Sequence, residues 1–451
     1  MALLSPRRTF VLILAILVFL TIISLFKQRI SQLPPSIALN IDFRSSFLQT
    51  YHKLTSHDEP IFQPTSSRVN SSTDQMSPPM SLRDTFKPGI AKPAGESYTR
   101  ALIIPHTSTE DISWLSLLNS TAFPDLTIYP YVVNPPPASA SDPHPTSPHS
   151  LRSPKNKGHE VMVYLTFLID HYDALPDVSI FMHSHRHAWH NNDLLGFDAL
   201  QHISRLSTPH VIRQGYFNLR CQWDPGCPTW IRPLETAEVY DRQEQIAFKR
   251  AYAELFPEEE DQGSDSDSGS GKATDGTSNI PEDLAQPCCG QFAVSRERIR
   301  SVPLRKLVWW RDWLLRTRLT DYVSGRVWEY SWQFVFTGRG VVCPQMRSCY
   351  CDAYGVCFPN EDRFQAWFMA RYGRKLAVDE LEGKSVEVQE KDRQEGGEVE
   401  RDGGREVYLR DLVLAHEREM EEVFEEAERR GRDPRTRAQD CGREWREGDG
   451  F

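Results

Sequence analysis

Long stretches of this chain are too polar to bury a core, and they limit the foldable part to 246 of its 451 residues. Residues 27–98 are rich in proline, serine and threonine, residues 258–285 are acidic and rich in glycine and serine, and residues 373–451 are dominated by charged side chains. Such compositions favour solvated spacers over packed domains. The remaining segments, 99–257 and 286–372, can form one well-filled core and are too short for two large domains.

The formal net charge of −10 is concentrated outside this predicted core. The 258–285 insert has nine acidic residues against one lysine, and the 373–451 tail has 24 acidic against 16 basic residues. The predicted core is therefore nearly neutral and has no long basic run. This balance argues against nucleic acid as the main partner.

An apolar run of eighteen residues without a charge, Thr9–Phe26, is just long enough to cross a bilayer. Bulky and basic residues follow it, whereas a cleaved signal peptide, the alternative, would have small residues there. We therefore predict a single-pass type II protein with its main domain in the lumen of the Golgi or the endoplasmic reticulum. Its predicted parts are a cytosolic tail (1–9), a transmembrane signal anchor (10–26), a disordered stem (27–98), a lumenal domain (99–372, with a disordered acidic insert at 258–285) and a charged, partly helical tail (373–451).

Eight of the nine cysteines fall inside the predicted core. Four of them lie between Cys343 and Cys357 with five, one and five residues between them, unlike the paired Cys-x2-Cys of zinc ribbons. We therefore predict disulfides, with a zinc site as the alternative. Eight thiols allow 105 pairings, and a Cys221–Cys227 bridge would close a turn-rich segment. Glycosylation sequons at Asn70 and Asn119 agree with a lumenal location.

Alternating strand and helix patterns predict an α/β sandwich. Arg100–Pro105, Leu126–Val133 and Val178–Met182 are apolar runs of strand length, and Val161–Ile169 has apolar residues at helical spacing. In open α/β sheets, ligands bind beyond the carboxyl ends of the strands. The residues after Met182 are therefore the first place to look for a site.

Four histidines occur in the eight positions from His183 to His190. If the strand continues past Met182, side-chain alternation puts His183, His185 and His187 on one side. Neutral imidazoles gathered in this way suit a divalent metal such as manganese or zinc, and imidazolium groups suit phosphate. Asp193 adds an oxygen ligand and is also a candidate substrate-binding residue. The alternative is an ordinary loop in which one or two histidines fix a turn and the others face solvent.

Two further segments carry candidate residues. Arg220, in a turn-rich segment, suits bidentate contact with phosphate, although a surface arginine is equally compatible with the sequence. Glu329 is a single carboxylate among aromatic residues, where burial would raise its pKa and suit it to general-base work. The alternative is an amphipathic helix in which Glu329 faces Arg326 or solvent. Ser295 is predicted to be a helix N-cap.

Five segments, in order, resemble the fungal family labelled domain of unknown function 3431, and the likeness spans most of Arg100–Cys357. They are NKGHEVMVYLTFLIDHYDALPDVSIFMHSHRHAWHNND, GYFNLRCQWDPGC, PCCGQFAVSRERI, SGRVWEYSWQFVF and CPQMRSCYCDAYGVC. Members of that family look like anchored proteins whose lumenal domain is similar to GT-A glycosyltransferases. The resemblance thus implies a single GT-A-like α/β/α sandwich with disulfide-braced loops, which moves a sugar from a nucleotide donor to a glycan or glycoprotein.

The same resemblance implies roles for individual residues. The strand Val178–Met182 corresponds to the one that ends at a metal-binding Asp-x-Asp motif, but this chain has His183-Ser184-His185 there. The reaction is then either independent of metal or served by histidine ligands, with His185 beside the reacting groups. Gln291 and Arg296 are implied to bind the acceptor, and Glu329 is the implied base.

Two other functions remain open at this stage. One is a metal-dependent hydrolase built on the histidines, and the other is a non-catalytic, membrane-anchored interaction module. In the tail, 407–430 has a weak apolar stripe, which favours a solvated charged helix over a partner surface.

Overall fold

The computed structural model describes residues 87–134, 151–235, 242, 244–257, 280–383 and 403–447. The predicted cytosolic tail, the predicted anchor at 10–26, most of the stem with Asn70, and most of the acidic insert lie outside these residues. Within them, no helix combines the length and the apolar character that crossing a membrane requires.

Six strands form one mixed sheet in the order β3-β2-β1-β4-β6-β5. Strands β3, β2, β1 and β4 pair with one another in parallel, and β6 is antiparallel to both β4 and β5. Their bounds are β1 Arg100–His106, β2 Leu126–Val132, β3 Leu151–Arg152, β4 Val178–Phe181, β5 Tyr216–Asn218 and β6 Phe292–Ser295. The mixed α/β fold predicted from the sequence is confirmed.

Helices cover both faces of this sheet. Among the described residues they are α1 Val161–Asp170, α2 Ala199–Arg205, α3 Thr208–Gln214, α4 Gln245–Leu255, α5 Arg296–Arg300, α6 Leu304–Arg316, α7 Asp321–Glu329, α8 Trp332–Thr337, α9 Met346–Tyr354, α10 Glu361–Leu381, α11 Gly403–Gly431 and α12 Pro434–Asp440. Short 3-10 turns occur at Ser113–Leu118, Tyr172–Ala174 and Asp193–Leu195. The predicted N-cap is confirmed, because Ser295 accepts a hydrogen bond from the backbone of Arg298 at the start of α5.

Side-chain alternation along the strands divides the core into two layers. In β1, Ile103 packs with α1, α4, α6, α7 and α8, whereas Leu102 packs on the other face with α2, α3, α9, α10 and α11. Burial on both faces requires strands that are apolar throughout, and β4 is buried at every position. This explains why the strands appear in the sequence as continuous apolar runs.

Disulfides are confirmed, and the eight core cysteines form four of them. The pairs are Cys221–Cys349, Cys227–Cys343, Cys288–Cys289 and Cys351–Cys357. The Cys221–Cys227 bridge is therefore wrong, because each of these cysteines reaches a partner more than 100 residues away, in α9 or in the loop before it. Cys441 has no disulfide partner.

The charged tail packs against the domain instead of standing free of it. Helix α10 continues past Tyr372 to Leu381, and α11 lies along it with Leu409, Val423 and Ala427 buried. The expectation of a fully solvated helix at 407–430 is wrong for this apolar stripe. The end of the acidic insert is also ordered, because Leu284 pairs with Ile231 and is buried.

A candidate active site at the carboxyl edge of the sheet

One edge of the sheet collects most of the predicted site residues. The parallel strands β1, β4 and β5 end there, and β6 begins there because it runs in the opposite direction. The loops at this edge are the histidine segment after β4, the turn after β5 that carries Arg220, and the Cys288–Gln291 segment before β6. The start of α1 and the end of α7 complete the site and bring Glu160 and Glu329 to it.

Two histidines, His183 and His190, lie side by side in this site. The Nδ1 atom of His183 is 3.2 Å from Nε2 of His190, and the rings meet edge to face. Burial, followed by the charges of neighbouring histidines, lowers the pKa of His183 to about 3. Burial is also the main cause that lowers the pKa of His190 to about 4. Both imidazoles are therefore neutral at physiological pH.

The predicted trio of His183, His185 and His187 is not assembled. Strand β4 ends at Phe181, so the alternation that would align the three side chains does not continue. The exposed His185 has its Nε2 atom 3.7 Å from Glu110, in the loop after β1, and the exposed His187 forms an isolated bridge with Asp198. These positions do not fit a metal held jointly by the three imidazoles.

Within the described residues, only two sets of three potential metal ligands come together. They are Cys288, Cys289 and Glu329, and Cys351, Cys357 and Asp440. In both sets the two cysteines are joined as a disulfide. Metals are bound by thiolates, so neither set has the donor atoms of a metal site.

Two carboxyl groups, the largely buried Glu160 and the buried Glu329, lie at this edge, and Glu160 faces the histidine pair. Glu160 precedes α1, and one of its carboxyl oxygens is 4.0 Å from Nε2 of His183, a buried nitrogen without a hydrogen-bond partner in the described structure. Burial raises the pKa of Glu160 to about 8, and the nearby Glu329 contributes to the increase. Because the pKa of His183 is low, this contact joins a neutral imidazole and a largely protonated carboxyl, and we do not treat it as an ion pair.

Glu329 lies at the end of α7 and is held on both carboxyl oxygens. One oxygen accepts the backbone N–H of Cys289 at 2.5 Å, and the other is 3.0 Å from Nη1 of Arg326. Burial raises its pKa, and the charge of Arg326 opposes that shift. Both sequence alternatives therefore apply, since Glu329 is buried among aromatic residues and also pairs with Arg326.

Gly290 makes room for this carboxyl pair. Its φ of +61° is in the left-handed region, and a Cβ at this position would lie 2.9 Å from Oε1 of Glu160. A side chain here would be strained and would also crowd the carboxyl group. The turn before β6 thus fits closely against the start of α1.

Arg220 lies two residues beyond β5 and is 6 % exposed. Its guanidinium donates to the carbonyl oxygens of Asp224 (2.6 Å) and Trp189 (3.5 Å) and lies over the indole ring of Trp189. Trp189 itself is 64 % exposed at the rim of the site. The predicted substrate-binding arginine is therefore at the same edge as the histidines and the carboxyl pair.

Two other predicted residues connect the loops of this edge. Gln291 accepts the backbone N–H of His183 at 3.0 Å and donates to the side chain of Asn191 at 3.0 Å. The fully buried carboxylate of Asp193 pairs with Arg371 of α10 at 3.1 Å and accepts from Tyr350 at 3.3 Å. Both polar groups are committed to partners inside the protein.

Arg296 is not in the site. The four residues of β6 separate it from Gln291 and carry it to the opposite edge of the sheet, where it pairs with Asp177 at 3.2 Å. That edge also borders a cavity of about 780 Å³ next to Tyr216 and Arg298. Arg298 is engaged there with carbonyl oxygens, among them that of Phe336. The cavity therefore lies away from the carboxyl pair and the histidines.

The sequence prediction missed Glu160 and the pairing of His183 with His190. A signal for Glu160 was present, because it directly precedes Val161–Leu168, a helical stretch in which every residue is buried. A carboxyl group that starts such a helix lies next to the core. No comparable local signal distinguishes His190 from His185 or His187.

The sheet and the titratable groups at the C-terminal ends of its strands define an α/β protein with a candidate acid–base site. The chain belongs to the family described as protein of unknown function (DUF3431), whose family model matches residues 102–352. Comparisons with curated proteins and with solved structures gave no match.

Proposed function

We propose that this protein transfers a sugar from a nucleotide donor to a glycan or glycoprotein acceptor in the lumen of the Golgi or the endoplasmic reticulum. The fold supports this proposal in one respect. Strands β3-β2-β1-β4 follow the order of doubly wound nucleotide-binding sheets, in which the ligand binds where the strand order reverses, between β1 and β4. The contact between Glu110 and His185 joins the loops that follow these two strands. The likeness to GT-A glycosyltransferases and the type II anchor remain part of the proposal.

The observation that carries the proposal is the buried carboxyl pair beside a buried arginine. Glycosyl transfer needs a base for the acceptor hydroxyl and positive charge for the departing diphosphate. Glu160 and Glu329 supply the first, and Arg220 supplies the second at the same edge. A pKa of about 8 keeps Glu160 close to the pH at which proton exchange is efficient.

The proposed chemistry is a single displacement. The acceptor oxygen attacks the anomeric carbon of the donor, and its proton passes to the ionised carboxyl of the pair. The bond from the anomeric carbon to the diphosphate oxygen breaks, and the nucleoside diphosphate leaves with the electron pair. Burial of the carboxyl groups excludes water, which strengthens these electrostatic contacts.

Four disulfides support a lumenal location, because such bonds persist in oxidising compartments. Asn119, the sequon asparagine within the described part, is exposed and therefore accessible to modification.

The test is a thermal-shift screen of the purified chain with nucleotide sugars, with and without manganese, followed by transfer assays with the donors that bind. Glu160→Gln and Glu329→Gln should each lower kcat by about 10²-fold or more without loss of donor binding. Glu297→Gln, an exposed carboxyl at the start of α5, is the matched control and should keep full activity. The absence of binding and turnover with every donor refutes the proposal. Stoichiometric zinc that is lost in His185→Ala would instead favour a metal-dependent hydrolase.

A further inference from the structure

Arg220 is a buried cation whose partners are all uncharged. Its guanidinium contacts two carbonyl oxygens and the sulfur of Cys288, at 3.4 Å, and it forms no ion pair with a carboxylate among the described residues. Its Nε atom is buried and has no hydrogen-bond partner in the described structure. Arg220 therefore has no carboxylate in direct contact within the described part of the chain and lacks one acceptor, although the charges of Asp193 and Asp224 act on it from a distance.

Other arginines of this protein show the contrast. Arg100, which is equally buried, binds Asp125 through its guanidinium, and the partly buried Arg213 pairs with Asp352 at 3.2 Å. Among the carboxyl groups, Asp193 has the largest electrostatic effect on the pKa of Arg220. Asp193 already pairs with Arg371 at 3.1 Å. A buried charge without an ion-pair partner costs up to several kcal/mol, and an anion bound from outside would offset that cost.

The surroundings of Arg220 favour a phosphate group. Burial is the main cause that lowers the pKa of His190, and the charges of His185 and then Arg220 lower it further. The positive charge of Arg220 therefore acts on the histidine segment. The planar guanidinium matches two phosphate oxygens, and phosphate is the anion of a nucleotide donor. The exposed indole of Trp189 lies over the guanidinium, 5.6 Å from ring centroid to Cζ, and forms its cover toward solvent.

We infer that Arg220 and the overlying Trp189 form a subsite for the diphosphate group of the nucleotide donor. This inference rests on the proposed function for the identity of the donor, whereas the anion follows from the contacts of Arg220 alone. In this subsite the side chain of Arg220 binds the phosphate. It lies where the turn after β5 meets the histidine segment and the Cys288–Gln291 segment.

The test measures binding of inorganic pyrophosphate to the full-length chain by calorimetry in the presence of EDTA. Wild-type protein should bind pyrophosphate. Arg220→Lys should bind it about tenfold more weakly because lysine cannot make the bidentate contact, and Arg220→Gln should show no binding. Arg186→Gln is the control, since Arg186 already pairs with Asp198 at 3.0 Å. Its affinity should stay within about twofold of wild type.

The outcomes separate this inference from the proposed function. Equal binding of pyrophosphate by wild type and Arg220→Gln, or no binding by wild type, overturns the subsite. Binding that depends on Arg220, in a protein that neither binds nor turns over any nucleotide sugar, supports the subsite and refutes the glycosyltransferase. If Arg220→Gln fails to give a cooperative melt, the comparison of wild type with Arg220→Lys decides the question.

Discussion

The buried carboxyl of Glu160 should make the protein less stable as the pH rises, and replacing it with glutamine should remove this loss. The pKa of Glu160 is raised from its ordinary 4.5 to about 8, chiefly by burial. Between these values the native state keeps a proton that the unfolded state has released. The free energy of unfolding therefore falls as the pH rises through this interval.

The magnitude follows from the width of that interval. At 1.36 kcal/mol for each pH unit, the shift from 4.5 to about 8 gives at most about 5 kcal/mol. The side chain is 15 % exposed, so water reaches part of the carboxyl and we expect about 2 to 3 kcal/mol. Glutamine has nearly the same shape and cannot ionise. Glu160→Gln should therefore match wild type near pH 5 and exceed its stability by this amount at pH 8.

Urea unfolding of the oxidised full-length chain at pH 5 and pH 8 measures this difference. Glu297→Gln removes an exposed carboxyl at another helix start and should change the free energy of unfolding by less than about 0.5 kcal/mol at either pH. A Glu160→Gln variant with the same stability relative to wild type at both pH values would refute the reasoning. Under the proposed function, the stability gained would be accompanied by lost transfer activity, as is common when a strained functional group is removed.

Four further predictions concern the stability, the disulfides and the location of the chain. Asp352 is buried and accepts from His210 (2.7 Å), Arg213 (3.2 Å) and Arg443 (2.7 Å), so Asp352→Asn should lower the free energy of unfolding by about 3 kcal/mol. Glu426→Gln breaks a half-exposed pair with Arg363 and should cost less than about 1 kcal/mol in the same urea assay. Peptide mapping without reduction should recover Cys221 linked to Cys349, and a Cys221–Cys227 peptide would contradict the structure. If the domain is lumenal, the protein should show a glycosidase-sensitive mobility shift that Asn119→Gln reduces, and a wild-type protein without modification at Asn119 would contradict lumenal exposure.

The sequence predicted the elements of the fold better than their long-range partners. Apolar runs identify β1 and β4 because both faces of these strands are largely buried, and Ser295 is a cap that depends on local geometry alone. The disulfides are different. Cys221 and Cys349 are 128 residues apart, and no local pattern encodes which distant loop reaches them.

Arg296 shows a prediction that strand geometry alone would have corrected. Gln291 and Arg296 flank a short strand, and a strand that crosses a sheet places the residues before and after it at opposite edges. At about 3.3 Å for each residue, the four residues of β6 separate the two by more than 10 Å. Glu160 required tertiary information instead, because its neighbour Glu329 is remote in the sequence and in another helix.

The hydrogen-bond and ion-pair partners of each buried polar group distinguish the structural residues of this edge from the candidate reactive ones. Gln291 and Asp193 have partners inside the protein that account for their burial. By contrast, Glu160 and Arg220 have no oppositely charged side chain in direct contact among the described residues, and Nε2 of His183 is buried without a hydrogen-bond partner there. Folding alone gives no reason to retain these costs, and each matches one requirement of transfer from a phosphate leaving group. The turn that carries Arg220 is tied to α9 by Cys221–Cys349, so under the proposed function this part of the site would be organised before the donor binds.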